Sequence, residues 1–245
     1  MQNIQAVAFD LFNTLITVDM PSRYSSIDRL LDSLRDQGVP VHADDFMPVY
    51  REVARDFVSE AERLGKETHN DLWISTALQR LGIDVEPQDS RVAQAVEAYF
   101  SAFVDNARPL PGTADMLAAL KPRYRLALLS NLTHGPAARQ ILDHLDLSAY
   151  FDVLLVSGDL GYRKPHPQVF QTLIEALEVP AAAIAFVGDD PRTDVEGSVL
   201  AGMQPVHTIY ARRQQDAAAL ATPPADPSVP TVSSWQELLT LLGVS

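Results

Sequence analysis

The residues of this chain that could carry out chemistry come directly after short apolar runs. They are Asp10 to Thr14, Ser130-Asn131, Arg163-Lys164-Pro165, and the segment Gly188 to Asp194 with Asp189, Asp190 and Asp194. Carboxylates can act as covalent nucleophiles or as ligands of a hard cation, and hydroxyl and ammonium groups can bind an oxyanion. The chain has no cysteine, so thiolate catalysis and thiolate metal sites are excluded, and any metal must use oxygen or imidazole ligands.

The apolar runs are too short for helices and predict buried strands. They lie at 6–9, 125–129, 153–156, 184–187 and 206–210, and helical patterns lie at 113–120, 136–145, 167–177 and 193–201. Strands that alternate with helices predict an α/β fold with a Rossmann-like parallel sheet and right-handed crossovers. Because ligands bind at the carboxyl ends of parallel strands, we expect the four polar groups to face one ligand site.

The stretch from 17 to 108 shows helical periodicity and no strand-like run. Its apolar stripes are Leu30/Leu31/Leu34, Val49/Val53/Phe57, Leu72/Ile74/Leu78 and Val92/Val96/Phe100. This pattern predicts an all-helical insert of about four helices. We therefore divide the chain into a core at 1–16 and 109–245 and an insert at 17–108. Near the end, a solvated loop is predicted at 217–230 and a last helix from Trp235 to Leu242, with Ser234 as N-cap.

The amino-acid composition limits the classes of molecule that this protein could bind. The chain has 245 residues, of which 47% are hydrophobic, and 32 acidic against 19 basic residues give a formal charge of −13. This charge would repel nucleic acid and anionic membranes, and no apolar stretch approaches the ~20 residues of a membrane span. The first residues lack a signal-peptide pattern. We expect a cytoplasmic monomer or homodimer that binds a small anionic substrate through a locally positive site.

In their order along the chain, the four polar groups resemble the motifs of the haloacid dehalogenase (HAD) superfamily, whose members are mostly phosphatases and phosphotransferases. The resemblance covers nearly the whole chain, and the predicted insert looks like the family's helical C1 cap. It implies that Asp10 is the nucleophile that forms an aspartyl-phosphate. It also implies that Mg²⁺ is held by Asp10, the main-chain carbonyl of Phe12 and Asp189, with Asp194 or Asp190 acting directly or through a water.

The remaining motif residues receive supporting roles from the same resemblance. Ser130 matches the hydroxyl that binds the phosphoryl group, and Lys164 matches the ammonium that balances the carboxylates. Thr14 is expected to orient its loop, and Asn131 to lie beside Ser130. From the residue types alone, Asp190 is expected to be a solvated neighbour of the site.

Phe12 departs from the family pattern, because phosphatases of this family usually have an acid–base Asp at that position. A phenyl ring cannot transfer a proton, and general acid–base catalysis is typically worth 10²–10⁴-fold. Three hypotheses follow: a Mg²⁺-dependent phosphatase or phosphotransferase, a metal-independent 2-haloacid dehalogenase, or a weakly catalytic protein that binds a phosphorylated ligand or a partner. The dehalogenases share the aromatic residue at this position, but they lack the acidic Gly-Asp motif with its second Asp. Because this chain has that motif, we favour the first hypothesis.

Substrate choice is expected to lie in the insert. Candidate residues for an anionic substrate are Arg23, Arg51 and Arg55, although arginines on a polar helix face are usually just solvated. Tyr24, Tyr50 and Trp73 either face the substrate or belong to the insert's own core. His134 and His166 are expected at loops or helix starts, although either could reach the substrate.

Overall fold

The computed structural model describes residues 1, 3–19, 24–214 and 226–244, with Tyr24 and Ser25 described by their backbone only. Its strands are β1 (Ala6–Phe9), β2 (Ile16–Val18), β3 (Ala107–Pro109), β4 (Arg125–Ser130), β5 (Val153–Val156), β6 (Ile184–Gly188), β7 (Gln204–Thr208) and β8 (Thr231–Val232). Its helices are α1 (Tyr24–Asp36), α2 (Ala43–Leu64), α3 (Asn70–Arg80), α4 (Ser90–Asn106), α5 (Thr113–Leu120), α6 (Gly135–His144), α7 (Ser157–Leu160), α8 (Pro167–Leu177), α9 (Gly197–Leu200), α10 (Tyr210–Gln214) and α11 (Trp235–Leu241).

Six strands form one parallel sheet in the order β5-β4-β1-β6-β7-β8. Helices cover both faces, so the predicted α/β, Rossmann-like class is confirmed. Side chains of β1 alternate between the two layers: Val7 and Phe9 pack on the α5, α6 and α11 side, whereas Ala6 and Ala8 pack on the α8 side. A parallel sheet buried on both faces explains why its strands read as continuous apolar runs.

Helices α1 to α4 lie between β2 and β3 and have a core of their own. Leu30, Leu34, Phe46, Ile74 and Phe100 are among its buried residues. Gly65 follows the last residue of helix α2, and its φ of 66° is the left-handed conformation that glycine adopts without strain. We call α1 to α4 the helical insert; the finer division of the chain into two domains at 16/17 and 108/109 stays a prediction.

The ends of the 17–108 stretch differ from the prediction. Thr17-Val18 and Ala107-Arg108 are not helical but belong to the antiparallel pair β2–β3, in which Thr17 lies opposite Arg108. Three-residue strands are too short to give a periodic apolar signal. The two connections between the sheet and the helical insert therefore run side by side.

Near the end of the chain, the predicted strand needs correction and the predicted loop lies partly outside the described residues. The strand expected at 206–210 is Gln204–Thr208, and Tyr210 instead begins helix α10, where its N–H donates to Thr208 Oγ1 at 3.3 Å. The loop predicted at 217–230 lies outside the described residues up to residue 225. The last helix is Trp235–Leu241, and Ser234 caps it by accepting from the Glu237 N–H. Among the helices that the structure describes, none is both long and apolar enough to cross a bilayer.

Candidate active site

A polar site lies at the carboxyl ends of β1, β4 and β6, which are neighbours in the sheet. Asp10 follows β1, Ser130 ends β4, and Asp189 follows β6. Strands β4 and β5, which follow β1 among the sheet strands, lie on one side of β1. The next strand, β6, lies on the other side of β1. Such a reversal of strand order is where open α/β sheets bind ligands.

Lys164 is the buried cation at the centre of this site. Its Nζ lies 2.7 Å from Asp10 Oδ1 and 2.8 Å from Asp194 Oδ1, and its side chain is 1% exposed. Burial lowers the pKa of Lys164, but the two carboxylates outweigh burial and hold its pKa above the usual range. The ammonium is therefore charged at any physiological pH.

Asn131 fixes the main chain of Lys164. The Lys164 N–H donates to Asn131 Oδ1 at 2.8 Å, and Asn131 Nδ2 donates to the Lys164 carbonyl at 3.0 Å. Because the side-chain amide meets both polar groups of one residue, the loop after β4 and the segment carrying Lys164 are held together. Asn131 thus lies next to Ser130 in the chain and acts on the position of Lys164.

Three carboxylates converge beside Lys164. Asp10, Asp189 and Asp194 are buried, and one oxygen of each lies within 4.8 Å of the others. Burial, reinforced by the Asp10 and Asp194 charges and opposed by Arg212, raises the pKa of Asp189 to about 7. Burial also raises the pKa of Asp194, against the Lys164 ammonium. The cluster is thus an electrostatically costly concentration of negative charge that a cation would relieve.

The turn after β6 brings Asp194 into the cluster. Its Oδ2 accepts from the Asp190 N–H at 3.0 Å. A Cβ on Gly188 would lie 2.4 Å from the Asp194 side chain, so only glycine allows this close approach. The Asp190 carboxylate points elsewhere: it accepts from the N–H groups of Arg192 and Thr193 at 2.9 and 2.7 Å and caps the π-helical turn Pro191–Glu196.

Two hydroxyls at the site have no hydrogen-bond partner among the residues that the structure describes. Thr14 and Ser130 are fully buried, yet Thr14 Oγ1 and Ser130 Oγ make no hydrogen bond within the described part of the chain. A buried polar atom without a partner costs free energy and requires an explanation. The oxygens of a bound anion would accept hydrogen bonds from such hydroxyls.

Phe12 supplies no titratable side chain. It is half-buried and packs against the apolar cluster of the sheet layer, and its backbone pairs with Ile16. The role predicted for its main-chain carbonyl as a metal ligand stays a prediction. The packing of the ring shows that this position is used for apolar contact.

Other candidate residues do not join the carboxylates. Arg51 and Arg55 are exposed on α2, and Arg51 lines a groove with Ile27 and Met47 that includes none of the three carboxylates. Arg23 and the Tyr24 side chain lie outside the described residues.

The two remaining aromatic candidates belong to the interior of the helical insert. Tyr50 and Trp73 are buried there, and Trp73 Nε1 donates to Thr68 Oγ1 at 2.8 Å. The two histidines occupy helix starts. His134 precedes α6, with its Nε2 2.9 Å from Glu97 Oε1, and His166 caps α8 by accepting from the Gln168 N–H.

Sequence reasoning missed two residues that touch Asp189. Arg212 Nη2 lies 3.5 Å from Asp189 Oδ2, and His207 Nε2 donates to the Asp189 carbonyl at 3.1 Å. His207 is in β7 and Arg212 in α10, directly after that strand. Both residues lie at or just beyond the carboxyl end of β7, and this position is the sequence signal that could have pointed to them.

The family model that matches this chain is that of haloacid dehalogenase-like hydrolases, over residues 4–202. A phosphoglycolate phosphatase of Salmonella typhimurium is 27% identical over 249 aligned residues, covering 100% of this chain and 94% of the relative. The pyrimidine 5'-nucleotidase YjjG of Escherichia coli is 26% identical over 240 residues, covering 96% of each chain. A 2-haloacid dehalogenase structure from Pseudomonas syringae pv. Tomato DC3000 has a TM-score of 0.68 at 22% identity and covers 98% of both chains.

Fold and site together define an α/β protein with a buried carboxylate cluster at the switch point of its parallel sheet. The family match places it further: the chain belongs to the haloacid dehalogenase-like hydrolases. Its relatives in sequence include phosphatases and a nucleotidase.

Proposed function

We propose that this protein is a Mg²⁺-dependent phosphatase or phosphotransferase that acts on a small phosphorylated metabolite through an aspartyl-phosphate on Asp10. One observation carries the proposal: one oxygen of each of Asp10, Asp189 and Asp194 lies within 4.8 Å of the others, and the buried ammonium of Lys164 pairs with two of these carboxylates, Asp10 and Asp194. A phosphatase needs this combination, because an anionic nucleophile can approach an anionic phosphate only where cations neutralise both. The relatives named as phosphatases support the same reaction class.

The donor set fits Mg²⁺. This ion prefers oxygen ligands, and carboxylates with few other protein groups are its usual partners. Asp10, Asp189 and Asp194 would hold it, with the Phe12 carbonyl as a further ligand. When bound, Mg²⁺ supplies Lewis-acid neutralisation of the phosphoryl oxygens.

The residues of the chain divide the reaction as follows. An oxygen of Asp10 forms a bond to phosphorus while the bond from phosphorus to the leaving oxygen breaks. Lys164 and the Ser130 hydroxyl hold the transferring phosphoryl oxygens, and Thr14 orients the loop after β1. In the second half, water attacks phosphorus, the bond to Asp10 breaks, and phosphate leaves; an acceptor alcohol in place of water would make the reaction a phosphotransfer.

Phe12 determines which esters suit this site. Because no side chain at this position can protonate the leaving oxygen, the enzyme is expected to favour phosphates whose leaving group departs as a stable anion. The relatives that act on phosphate esters support the general class, and the choice of metabolite is left to the helical insert.

We also propose separate roles for two parts of the chain. Residues 1–16 and 109–245 form the catalytic core, and 17–108 form a cap that closes over the strand ends. A cytoplasmic location without nucleic-acid or membrane partners is also part of it, in keeping with the formal charge of −13.

The experiment is phosphate release from 4-nitrophenyl phosphate, whose leaving group needs no proton. We expect turnover with Mg²⁺, loss of turnover with a chelator, and a loss of about a thousandfold or more in Asp10→Asn. The matched control is Asp115→Asn, an exposed residue of α5, which should keep wild-type turnover. Turnover that survives the chelator would sink the proposal.

A second candidate, 2-haloacid dehalogenation, is favoured by one residue. Phe12 is aromatic, as in the dehalogenases, and a departing halide needs no proton. The carboxylates of Asp189 and Asp194 argue against it, because that reaction uses no metal. Halide release from 2-chloropropionate in the presence of a chelator, abolished in Asp10→Asn, would establish this candidate instead.

A further inference from the structure

The loop between α2 and α3 of the helical insert pairs with the segment that leads to Lys164. The Glu67 N–H donates to the Gly161 carbonyl at 3.0 Å, and the Arg163 N–H donates to the Gly65 carbonyl at 3.0 Å. Lys66 faces Tyr162 in this antiparallel bridge. The residue directly before Lys164 is therefore held by a loop of the helical insert and not by the sheet.

Glu67 adds a buried charge to this contact. Its side chain is 1% exposed, and its Oε1 lies 3.4 Å from Arg163 Nη1. Its Oε2 accepts a hydrogen bond from Ser157 Oγ. A carboxylate is rarely buried unless it is paired and hydrogen-bonded, and this one uses both of its oxygens to join two segments of the core.

The contact continues to the other side of the site through Ser157. Ser157 Oγ, which donates to Glu67, accepts from the Leu132 N–H at 2.9 Å. Leu132 follows Asn131, whose amide holds both main-chain groups of Lys164. One path thus runs from Glu67 through Arg163 to Lys164, and a second runs through Ser157 and Leu132 to Asn131.

We propose that Glu67 is a positioning residue for Lys164. This inference rests on the proposed function. The Glu67 carboxylate fixes the segment 161–163 and the segment 131–132 relative to each other, so that the Lys164 ammonium stays between Asp10 and Asp194. A displacement of about 1 Å in a catalytic group can cost about 10²-fold in rate, so a buried tie one residue away affects turnover without touching the substrate.

The test compares Glu67→Ala, Glu67→Gln and Ser157→Ala with Glu62→Ala, a matched control on the exposed face of α2. With 4-nitrophenyl phosphate and Mg²⁺, we expect Glu67→Ala to lower kcat about tenfold with KM within twofold of wild type. Glu67→Gln should have a kcat between those of wild type and Glu67→Ala, because its amide oxygen still accepts from Ser157 Oγ while its amide nitrogen cannot accept from Arg163. Ser157→Ala should resemble Glu67→Ala, and the double variant should lose no more than either single one.

A second readout does not depend on catalysis. Amide hydrogen exchange should become faster in Glu67→Ala for peptides that contain Leu132 and Arg163, and should stay at wild-type rates in Glu62→Ala. A kcat within twofold of wild type in both Glu67→Ala and Ser157→Ala overturns the proposal, even if exchange changes. If the wild type releases no phosphate, the proposed function fails, and exchange alone decides: unchanged rates at Leu132 and Arg163 overturn the positioning role.

Discussion

Lys164 Nζ lies 2.7 Å from Asp10 Oδ1 inside the protein, a buried ion pair between residues 154 positions apart in the chain. The ammonium also serves Asp194. Removing it would leave Asp10 and Asp194 without their shared ion-pair partner, so this single side chain links the stability of the site to its chemistry.

We expect Lys164→Met to lower both turnover and stability. Loss of one partner from a buried ion pair typically costs about 3–5 kcal/mol, so the free energy of unfolding in metal-free buffer should fall by that order. Added Mg²⁺ should restore part of it. Urea denaturation with and without Mg²⁺ measures both effects.

The control for this prediction is Lys121→Met. Lys121 forms an ion pair of the same 2.7 Å length with Asp152, but both side chains are about one-third exposed, and exposed pairs contribute about 1 kcal/mol or less. Equal losses in the two variants would show that burial of Lys164 has no special energetic role.

Asp189 should make the stability of the metal-free protein depend on pH near neutrality. Its pKa is raised to about 7 in the folded protein, against about 3.9 in an unfolded chain. Between these values the folded state binds the extra proton, so this group makes unfolding harder as pH falls from about 7 to about 4 and easier as pH rises.

The measurement is the free energy of unfolding from pH 8 to pH 5 in chelator, for the wild type and Asp189→Asn. We expect the wild type to gain stability relative to the variant as pH falls. Mg²⁺ should stabilise the wild type more at pH 8 than at pH 5, because the metal competes with the proton. Parallel pH profiles for the two proteins would contradict the raised pKa.

Ser130→Ala should separate catalysis from stability. The Ser130 hydroxyl is buried and has no hydrogen-bond partner among the described residues, so its removal breaks no protein contact and should change the free energy of unfolding by less than about 1 kcal/mol. Turnover of 4-nitrophenyl phosphate should fall about 10²-fold, because the hydroxyl then no longer binds the phosphoryl group.

Ser75→Ala is the control for this prediction, because the opposite pattern is expected: a loss of stability without a loss of turnover. Ser75 is equally buried, but its Oγ donates to the Val85 carbonyl at 2.7 Å within the helical insert. Its loss should cost about 1 kcal/mol of stability and leave turnover unchanged. The interpretation of Ser130 would be wrong if Ser130→Ala lost stability and kept its rate.

Phe12→Asp should widen the range of leaving groups. An aspartate at this position restores the acid that most phosphatases of the family have, and general acid catalysis is worth about 10²–10⁴-fold. We expect the ratio of turnover on an alkyl phosphate to turnover on 4-nitrophenyl phosphate to rise at least about tenfold.

Phe12→Leu is the steric control, because it keeps an apolar side chain and should leave that ratio near the wild-type value. Thermal unfolding of both variants measures how much stability is lost when the packing of Phe12 against the sheet layer is removed. A ratio that rises equally in both variants would mean that the effect comes from space and not from proton transfer.

The sequence predicted the sheet well because its strands are short buried runs, which are local patterns; the roles of the candidate residues stay predictions. Strand β1 is a short buried run followed at once by Asp10, and topology then brings it beside Asp189. The same local logic located helix α8 at its observed bounds, Pro167–Leu177. Strands β2 and β3 were missed because their signal is a pairing between residues about 90 positions apart, not a periodic pattern.

The contacts of individual side chains could not be predicted in the same way. The residues around Glu67 do not indicate that its carboxylate is buried against Ser157. The same local sequence would be compatible with an exposed glutamate in a polar loop. Arg212 likewise reaches Asp189 only because β7 lies beside β6 in the sheet. Such contacts follow from tertiary packing, which a single sequence does not encode as a local motif.

The pairing of β2 with β3 has an evolutionary consequence. The chain leaves the sheet layer at Ile16–Val18 and returns at Ala107–Pro109, on two hydrogen-bonded strands, with the Asp19 N–H donating to the Asn106 carbonyl just beyond them. Because departure and return are adjacent, the intervening segment can be lengthened, shortened or exchanged without moving any sheet strand. We expect chimaeras spliced at these two strands to acquire the substrate preference of the donor, and to keep the Asp10 and Lys164 chemistry where the donor segment supplies a carboxylate in place of Glu67.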